Sequence, residues 1–487
     1  MQTTLKSRRS LTHEIEQLLK VYESFSIKEH PHPNRLSRWL DDMHLMRAEG
    51  RWSLKAEREI EERSMELRRI WIEYAQSYSN FHLKSPPLNT MKILPSNNKI
   101  DFSYERNIQA NLLEERSGQY RSQHDLWNSD HVMFSSGMAS ISTFMQSYLG
   151  MFKPSSDKPL TILSWSDYFE TRVMMDLYSR DSVHYYPCKS QEELESYITI
   201  GDIFFIEPVR YNWDLEVLNL EKFLSQLKAL HPDKISVLVM DTTLIGDTLD
   251  MSGMLEFCSQ VPNLIIVQIH SCLKLDQQGF EYSNAGLLSI YTTKRGNLPE
   301  AKEFGQYIRK VRTILGTGLG LEEIALLDQP YFLNKHHLNS YCSGVFKHNR
   351  ELAHSIESNG IFKKVAHPSI NSTFPWAVSP FVVFHLKEDT LENHGFLLGV
   401  VLHEAESKGL TFSIGSSFGF RSHRFEVIIP NVSEGKGLFK VAMGFRDGPS
   451  KDAITKLFKK LSLYKSFHSL RKDYPTIKPV NLVDIKE

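Results

Sequence analysis

The chain has 487 residues, more than one compact core usually takes, and this length predicts two or three domains. Its 57 basic residues are balanced by 58 acidic ones, so the composition gives no support to a nucleic-acid or anionic-membrane partner. Hydrophobic residues make up 41% of the chain, which is enough for a large core.

The cysteines and the apolar runs exclude several further classes of protein. The four cysteines are scattered without the spacing of a metal site or of a disulfide framework, which indicates reduced thiols. Met1 is followed by polar residues without an apolar core, so no signal peptide is expected. The longest apolar runs are much shorter than a membrane span. We therefore expect a soluble, cytoplasmic protein without a metal site.

The first part of the chain is predicted to be helical. Residues 11–25 and 53–78 place apolar residues three and four positions apart among charged helix formers. Residues 83–99 contain three prolines together with turn-forming residues, a composition that predicts a linker. These patterns predict a helical N-terminal extension over residues 1–95.

Between residues 130 and 295, short β-forming runs alternate with helix-length segments. The runs are "LTILSW" at 160, "VHYYP" at 183, "DIFFIEP" at 202, "SVLVMD" at 236, "LIIVQIH" at 264 and "AGLLSIY" at 285. They are apolar without strict alternation, which is typical of parallel strands covered on both faces. We predict a large, mostly parallel α/β domain over residues 96–330.

Polar side chains follow the ends of four of these runs. They are an aromatic ring, an amide, a carboxylate, a hydroxyl and an amine: Tyr168, Asn212, Asp241, Ser271 and Lys274. A lysine just past a strand is usually only a solvated charge. However, ligands of open α/β sheets bind beyond the carboxyl ends of the strands, and scattered surface polarity would rarely place these five groups there.

The segment "FSSGMASISTFMQSYLG" places Ser136 and Gly137 at the start of a predicted helix. The N–H groups and the dipole of such a helix start favour an anion, although an ordinary helix cap has the same residues. Pyridoxal phosphate needs a phosphate cradle, a lysine for a Schiff base, an acidic group beside its pyridinium nitrogen and an aromatic face over its ring. The helix start and the strand ends together match that set.

Over roughly residues 100–460, the order of these motifs resembles that of fold-type I pyridoxal-phosphate enzymes, and among them the Cys/Met-metabolism family of cystathionine γ-synthase and methionine γ-lyase. The resemblance implies a large, mostly parallel sheet domain that binds pyridoxal 5'-phosphate and a small C-terminal α+β domain, here over residues 331–487. The runs "FVVFHL", "TFSIG", "FEVIIP" and "FKVAMGF" suit the small domain.

The family's phosphate-binding and lysine motifs have counterparts here. "SSGMAS" is similar to the family's Ser-Gly-Met-Ala helix start, which implies that Ser136, Gly137 and Met138 bind the cofactor phosphate. "SCLK" is similar to its Ser-x-Thr-Lys motif, which implies that Ser271 also binds the phosphate and that Lys274 is the catalytic Schiff-base lysine.

Three further positions match residues around the cofactor ring. "MDTT" is similar to the family's Val-Asp-Asn-Thr pattern, so Asp241 would lie beside the pyridinium nitrogen. Tyr168 matches the tyrosine that stacks on the ring and assists the leaving group. Asn212 is the nearest match to the asparagine that contacts the cofactor's 3-hydroxyl, although its spacing from Glu207 is looser than in the family.

The segment "YERN" is similar to the family's Tyr-x-Arg segment. The resemblance implies that Tyr104 and Arg106 reach the phosphate of a neighbouring subunit's cofactor. We therefore expect a homo-oligomer, a dimer or a tetramer, with active sites shared between subunits.

The sequence departs from the family where the substrate carboxylate would bind. Lys440 stands at the position of the family's carboxylate-binding arginine, and a lysine does not offer the two-pronged fork of a guanidinium. Arg424, and after it Arg421, are our candidates for that role, each with a plain surface arginine as the alternative. Leu273 also replaces the threonine next to the lysine and removes one hydroxyl from the phosphate site.

The implied activity is formation of an external aldimine with an amino acid, followed by substitution or elimination at its γ- or β-carbon. S-adenosylmethionine or an O-activated homoserine is the expected substrate, in a specialised biosynthetic pathway. An aminotransferase is the second enzymatic hypothesis, and amine exchange that requires an oxo acid would distinguish it. A non-catalytic assembly protein is the third hypothesis, and the joint presence of Lys274, Asp241 and Tyr168 argues against it.

Overall fold

The structure is a computed structural model, and it describes residues 2–25, 32–79, 83–155, 157–228, 230, 233–430 and 432–482. Two compact units are present. The first unit consists of Met1–Trp71, Gln278–Phe280 and His336–Glu487, and the second of Ile72–Gln277 and Glu281–Lys335.

The helices of both units are numbered in chain order. They are α1 (Gln2–Ser24), α2 (Pro33–Glu49), α3 (Leu54–Ser79), α4 (Asn111–Tyr120), α5 (Gly137–Phe152), α6 (Phe169–Tyr178), α7 (Gln191–Ser196), α8 (Leu220–Leu227), α9 (Met251–Cys258), α10 (Ala301–Leu315), α11 (Leu321–Leu327), α12 (Lys335–Ser355), α13 (Pro368–Asn371), α14 (Leu391–Lys408), α15 (Pro449–Ser462) and α16 (Phe467–Asp473). None of these described helices combines the length and the apolarity that a bilayer crossing needs.

The strands are numbered in the same way. They are β1 (Thr90–Ile93), β2 (Lys99–Phe102), β3 (Trp127–Phe134), β4 (Leu160–Trp165), β5 (Val183–Pro187), β6 (Ile203–Ile206), β7 (Ser236–Asp241), β8 (Leu264–Ser271), β9 (Gly286–Thr293), β10 (Phe362–Ala366), β11 (Val382–Leu386), β12 (Phe412–Ile414), β13 (His423–Ile428) and β14 (Leu438–Ala442).

The second unit is built on a seven-stranded sheet with the order β3-β9-β8-β7-β6-β4-β5. Strands β4 to β8 pair in parallel, whereas β9 pairs antiparallel with both β3 and β8. Every residue of β4, β6 and β9 is buried, as expected for a sheet covered on both faces. The predicted large, mostly parallel sheet is confirmed.

The first unit contains a five-stranded sheet with the order β10-β11-β14-β13-β12. Only the pairing of β12 with β13 is parallel among the described strands of this sheet. Its core brings Phe384 and Phe439 of the strands together with Phe396 of α14 and Phe458 of α15. This arrangement confirms the small C-terminal α+β fold predicted from the sequence.

The N-terminal helices, with α3 as far as Trp71, belong to the same compact unit as this small sheet. Trp71 of α3 is fully buried and stacks on Phe25, with their ring centroids 4.4 Å apart. Glu14 of α1 forms an ion pair with Arg421, which lies between β12 and β13. Glu61 of α3 forms an ion pair with Arg446, which lies after β14. The division of the chain at residues 95 and 330 stays a prediction.

Two segments differ from the sequence prediction. Residues 83–99, predicted as a linker, include β1 and lead into β2, and these strands form an antiparallel hairpin. The strand β3 was not predicted, because its middle is polar. These two polar side chains have partners within the unit: Asp130 binds Arg309 at 2.5 Å, and Nδ1 of His131 lies 2.9 Å from the Ser289 hydroxyl.

We expect His131 to make the protein sensitive to mild acid. Burial, reinforced by the nearby Arg121 and Arg309, lowers the pKa of His131 to about 3, so the folded state keeps it neutral. At a pH below the ordinary pKa of histidine, His131 takes up a proton in the unfolded chain but not in the folded chain. The free energy of unfolding therefore decreases as the pH decreases. Urea unfolding of the wild type and of His131→Gln at pH 8 and pH 5 tests this expectation.

At pH 8 the difference in the free energy of unfolding between the two proteins reports packing alone. At pH 5 this difference should be smaller by ~2 kcal/mol. An unchanged difference would show that His131 is not held neutral.

Candidate functional site

The candidate site lies at the carboxyl edge of the large sheet. Strands β8, β7, β6 and β4 are neighbours in the sheet and parallel to one another, so the segments that follow them leave at the same edge. The five strand-end residues predicted from the sequence therefore all begin from one edge. They are Tyr168 after β4, Asn212 after β6, Asp241 at the end of β7, Ser271 at the end of β8 and Lys274 just beyond it.

Asp241 and Ser271 are linked through a single threonine. The N–H of Thr243 donates to Oδ1 of Asp241 at 2.9 Å, and the Thr243 hydroxyl accepts the N–H of Ser271 at 2.9 Å. Burial raises the pKa of Asp241, whereas Thr243 and the charges of His270 and Lys274 act in the opposite direction. Lys274 is thus within electrostatic range of the Asp241 carboxyl.

The start of α5 lies against the end of β8. Ser136 caps this helix, since its hydroxyl accepts the N–H of Ala139 at 3.0 Å. A Cβ atom placed on Gly137 would lie 3.1 Å from the Cβ of Ser271, so a larger residue would intrude on Ser271. The structure therefore brings Ser136, Gly137 and Ser271 together, with Met138 in the same first turn of α5.

Glu207 organises the loops after β4 and β6, and sequence reasoning had used it only as a spacing marker. Its carboxylate is buried and accepts four hydrogen bonds, two at each oxygen. The donors are the Ser166 hydroxyl at 2.6 Å and the backbone N–H groups of Tyr211 at 2.7 Å, Asp167 at 3.1 Å and Tyr168 at 3.2 Å. Burial, and then the charge of Asp241, raise the pKa of Glu207 to about 7, while these donors oppose the shift.

Tyr168 precedes α6 and is half-buried. Its ring meets that of Tyr211 edge to face, with centroids 5.5 Å apart. Burial, followed by the neighbouring Glu170, raises the pKa of the Tyr168 phenol. The phenol is therefore a proton donor at neutral pH.

The amide of Asn212 is engaged in a local turn. Its Oδ1 accepts the N–H groups of Asp214 at 3.1 Å and Glu216 at 3.2 Å, and its Nδ2 donates to the Glu216 carboxylate at 2.8 Å. Contact of this amide with a ligand would require some of these bonds to be exchanged.

Tyr104 and Arg106 lie next to each other on the surface of the second unit. The Arg106 guanidinium is 5.1 Å from the centroid of the Tyr104 ring, and both side chains are exposed. They line a cavity of about 320 Å³. Its other lining residues are Lys84, Glu105, Gly316, Gly318, Leu319 and Gly320. Arg106 is thus placed where an anion or another chain could reach it.

The two candidate arginines for the substrate carboxylate lie in the first unit, as does Lys440 at the position of the family's arginine, and the three environments differ. Lys440 is buried and binds Glu426 across the β13–β14 pair at 2.6 Å. Arg421 is buried and binds Glu14 of α1 through its Nη2 and Nε, at 2.9 and 3.2 Å. Arg424 is only partly buried, and its guanidinium lies 3.2 Å from the centroid of the Phe420 ring. Sequence reasoning had no signal for the Glu14 pairing.

A second pair of charged groups lies beside the lysine segment. Nε2 of the buried His270 is 2.7 Å from Oδ2 of Asp276, which is also buried. Burial alone would lower the pKa of His270, but the Asp276 charge and hydrogen bond raise it above its ordinary value. The sequence suggested His270 as a pocket or structural histidine without indicating its carboxylate partner.

Comparison with family models and with curated protein sequences finds no match. Solved structures do resemble the chain. They include the apo methionine γ-lyase from Micromonospora echinospora, at 16% identity over 74% of this chain and 88% of that one, with a TM-score of 0.53. Cystathionine γ-synthase from Xanthomonas oryzae pv. oryzae, solved with cystathionine, is 12% identical over 74% and 88%, with a TM-score of 0.55.

A third structure, from Campylobacter jejuni subsp. jejuni, is described as an O-acetylhomoserine (thiol)-lyase and contains N'-pyridoxyl-lysine-5'-monophosphate. It is 14% identical over 74% of this chain and 87% of that one, with a TM-score of 0.54. At such identities these likenesses establish the fold. The chain shares their architecture, and the fold-type I fold predicted from its sequence is confirmed.

Replacing Glu207 with glutamine should destabilise the second unit. An amide presents one NH₂ group, and its hydrogens would face either the N–H groups of Tyr211 and Asp167 or the N–H of Tyr168, beside which the Ser166 hydroxyl can turn to accept. We expect Glu207→Gln to lower the free energy of unfolding by about 3 kcal/mol at pH 8, where the wild-type carboxyl is ionised. Urea unfolding measures the loss.

The matched control is Glu221→Gln, because Glu221 is exposed on α8 and its substitution should change stability by less than about 0.5 kcal/mol. Equal stability of the two variants would show that the four hydrogen bonds of Glu207 contribute little.

Proposed function

We propose that the protein is a pyridoxal-phosphate-dependent enzyme that acts on an amino acid by substitution or elimination at the γ- or β-carbon. One observation carries the proposal. The first turn of α5 lies against Ser271, on the strand whose continuation bears Lys274, and Lys274 is within electrostatic range of the Asp241 carboxyl. A phosphate cradle, an amine and a carboxylate are thus gathered at one sheet edge, in a fold shared with enzymes of this class.

The residues present fit a phosphate. The first N–H groups of an α-helix have no acceptor within the helix, and the helix dipole favours negative charge at its start. In α5 the cap of Ser136 is directed to the N–H of Ala139, so the N–H groups of Gly137 and Met138 precede the capped position. The hydroxyl of Ser271 and the small Gly137 complete a cradle that a side chain at Gly137 would fill.

When bound, pyridoxal phosphate supplies an electron sink for the charge that develops at the substrate Cα. Asp241 favours the protonated pyridinium, because an opposite charge at close range stabilises the charged form. Thr243 fixes the Asp241 carboxylate through its backbone N–H. Lys274 holds the cofactor and then moves the Cα proton, and the protonated phenol of Tyr168 donates to the leaving group.

The substrate is an amino acid, and its carboxylate binds Arg424 in this proposal. Arg421 is second, since Glu14 already binds its guanidinium. An O-activated homoserine or S-adenosylmethionine supplies the γ-leaving group, in a specialised biosynthetic pathway. Asn212 approaches the cofactor's 3-hydroxyl once its turn contacts rearrange.

The active enzyme is a homo-oligomer in the same proposal. Tyr104 and Arg106 are exposed beside a cavity that Lys84 also lines, which suits an anion brought by another copy of the chain. Each copy would then supply this pair to the neighbouring subunit's phosphate.

The cofactor assignment is tested by adding pyridoxal phosphate to the wild type, to Lys274→Ala and to Lys310→Ala. Lys310 is exposed on α10 and serves as the matched control. The wild type and the control should gain the visible absorption band of a lysine-bound cofactor, and Lys274→Ala should not. Borohydride reduction and peptide mass spectrometry should locate the pyridoxyl group on Lys274. A wild type without the band would leave a non-catalytic assembly protein as the better hypothesis.

The role of Tyr168 is tested by Tyr168→Phe, which keeps the ring and removes the hydroxyl. We expect kcat for release of the γ-leaving group to fall by about 100-fold, the usual contribution of a general acid, while cofactor affinity changes little. Tyr178→Phe is the control, because Tyr178 ends α6, the helix that follows Tyr168, and its hydroxyl donates to the backbone of Ser142 at 3.2 Å. Equal kcat in both variants would rule out the proton-donor role.

A further inference from the structure

The segment that follows the predicted cofactor lysine contains a short piece of the first unit. Residues Gln278–Phe280 group with that unit, although the residues before and after them belong to the second. Gln278 is four positions after Lys274 along the chain. Whatever holds Gln278–Phe280 therefore acts close to the lysine in the covalent structure.

The backbone of this tripeptide is held by the N-terminal helix α3. Nε of Arg68 donates to the carbonyl oxygen of Phe280 at 2.6 Å, a charge-assisted hydrogen bond. The donor and acceptor are 212 residues apart in sequence.

The ring of Phe280 is held by an arginine that α1 fixes in place. Phe280 is 3% exposed, and the Arg421 guanidinium lies 5.0 Å from its ring centroid. Glu14 of α1 binds the same guanidinium through Nη2 at 2.9 Å and through Nε at 3.2 Å. Both charged groups are buried, so removing either one would leave the other as an uncompensated buried charge at a large energetic cost.

The backbone conformation of the segment needs such support. Gln278, Gly279 and Glu281 have φ values of 51°, 74° and 47°, in the left-handed region that non-glycine residues adopt at some cost. A Cβ atom at Gly279 would lie 2.7 Å from the backbone nitrogen of Arg421 and would also collide with the Tyr341 hydroxyl. The segment is thus packed tightly against the first unit at a position where only glycine fits.

The other end of the loop is anchored separately, within the second unit. Nε2 of Gln277 donates to the carbonyl oxygens of Cys272 at 2.9 Å and Ser283 at 2.5 Å, and its Oε1 accepts the N–H of Ser283 at 3.0 Å. This one amide fastens the residues on both sides of the tripeptide and follows Lys274 by three positions. The tripeptide and Lys274 thus belong to one short loop whose two ends are tied together by Gln277.

We propose that the N-terminal helices position the lysine loop: Arg68 of α3 is a positioning residue for the segment that carries Lys274, and Glu14 of α1 supports the same segment through Arg421. The inference rests on the proposed function in one respect, since the loop matters for catalysis only if Lys274 holds the cofactor. In this proposal, the N-terminal helical extension contributes to the activity of the enzyme by positioning this loop.

The experiment compares wild type, Arg68→Ala, Arg68→Lys and Arg63→Ala. Arg63 is the matched control, because it lies on the same helix and forms an ion pair with Asp42 of α2 at 2.8 Å instead. Hydrogen–deuterium exchange is measured on each cofactor-free protein, with attention to peptides covering residues 278–284. The affinity for pyridoxal phosphate is then measured by absorption titration.

Arg68→Ala should speed exchange in these loop peptides by about tenfold, the effect of losing one hydrogen bond to a charged group, and should weaken cofactor affinity by a similar factor. Arg63→Ala should leave both quantities at the wild-type values. Arg68→Lys should restore most of the protection, because an ammonium can also reach the carbonyl oxygen.

Unchanged loop exchange in Arg68→Ala overturns the inference, and so does faster exchange spread over the whole chain, which would indicate a general structural role. A wild type that takes up no pyridoxal phosphate contradicts the proposed function instead. Because the exchange of the loop peptides is measured without the cofactor, a failure to bind pyridoxal phosphate can be distinguished from a failure of the positioning role.

Discussion

Parallel pairing of the strands from β4 to β8 is the constraint on which the rest of the structure depends. Parallel neighbours direct their carboxyl ends to one edge, so residues that are far apart in sequence begin from the same line. Asp241 and Ser271 are joined through Thr243 for this reason. Because α5 starts beside the end of β8, Gly137 and Ser271 lie so close together that a Cβ atom on Gly137 would crowd Ser271.

The carboxylates of Glu207 and Asp241 lie close to each other at this buried edge, which has a large electrostatic cost. Hydrogen-bond donors, most of them backbone N–H groups, offset this cost. Glu207 accepts four hydrogen bonds, three of them from N–H groups of the adjacent loops. The carboxylate that organises these loops is also what fixes the backbone of Tyr168. The same hydrogen bonds therefore compensate the buried carboxylate and position the backbone that carries the Tyr168 ring.

In the first unit, buried charges are also compensated, and their partners come from different parts of the chain. Arg421 binds Glu14 of α1, and Arg446 binds Glu61 of α3 at 2.6 Å. Burial alone would raise the pKa of Glu61, yet the two arginines bring it below its ordinary value. These pairs make α1 and α3 the electrostatic partners of the segments around the small sheet, and the same helices hold the tripeptide after the lysine.

The sequence by itself determined the α/β class, the strands β4, β5 and β7 to the residue, and the order of chemical groups at the strand ends. Apolar runs and the residues that end them are local features, so they can be recognised without tertiary information. The strand β3 has no such local pattern, because Asp130 and Nδ1 of His131 find their partners, Arg309 and Ser289, well over a hundred positions away. Only the tertiary structure decided which polar groups are already engaged, such as Asn212 in its turn and Arg421 with Glu14, 407 residues distant. The physical reason is that a buried charge must be paired, and the partner is chosen by the packing of remote segments that no local pattern records.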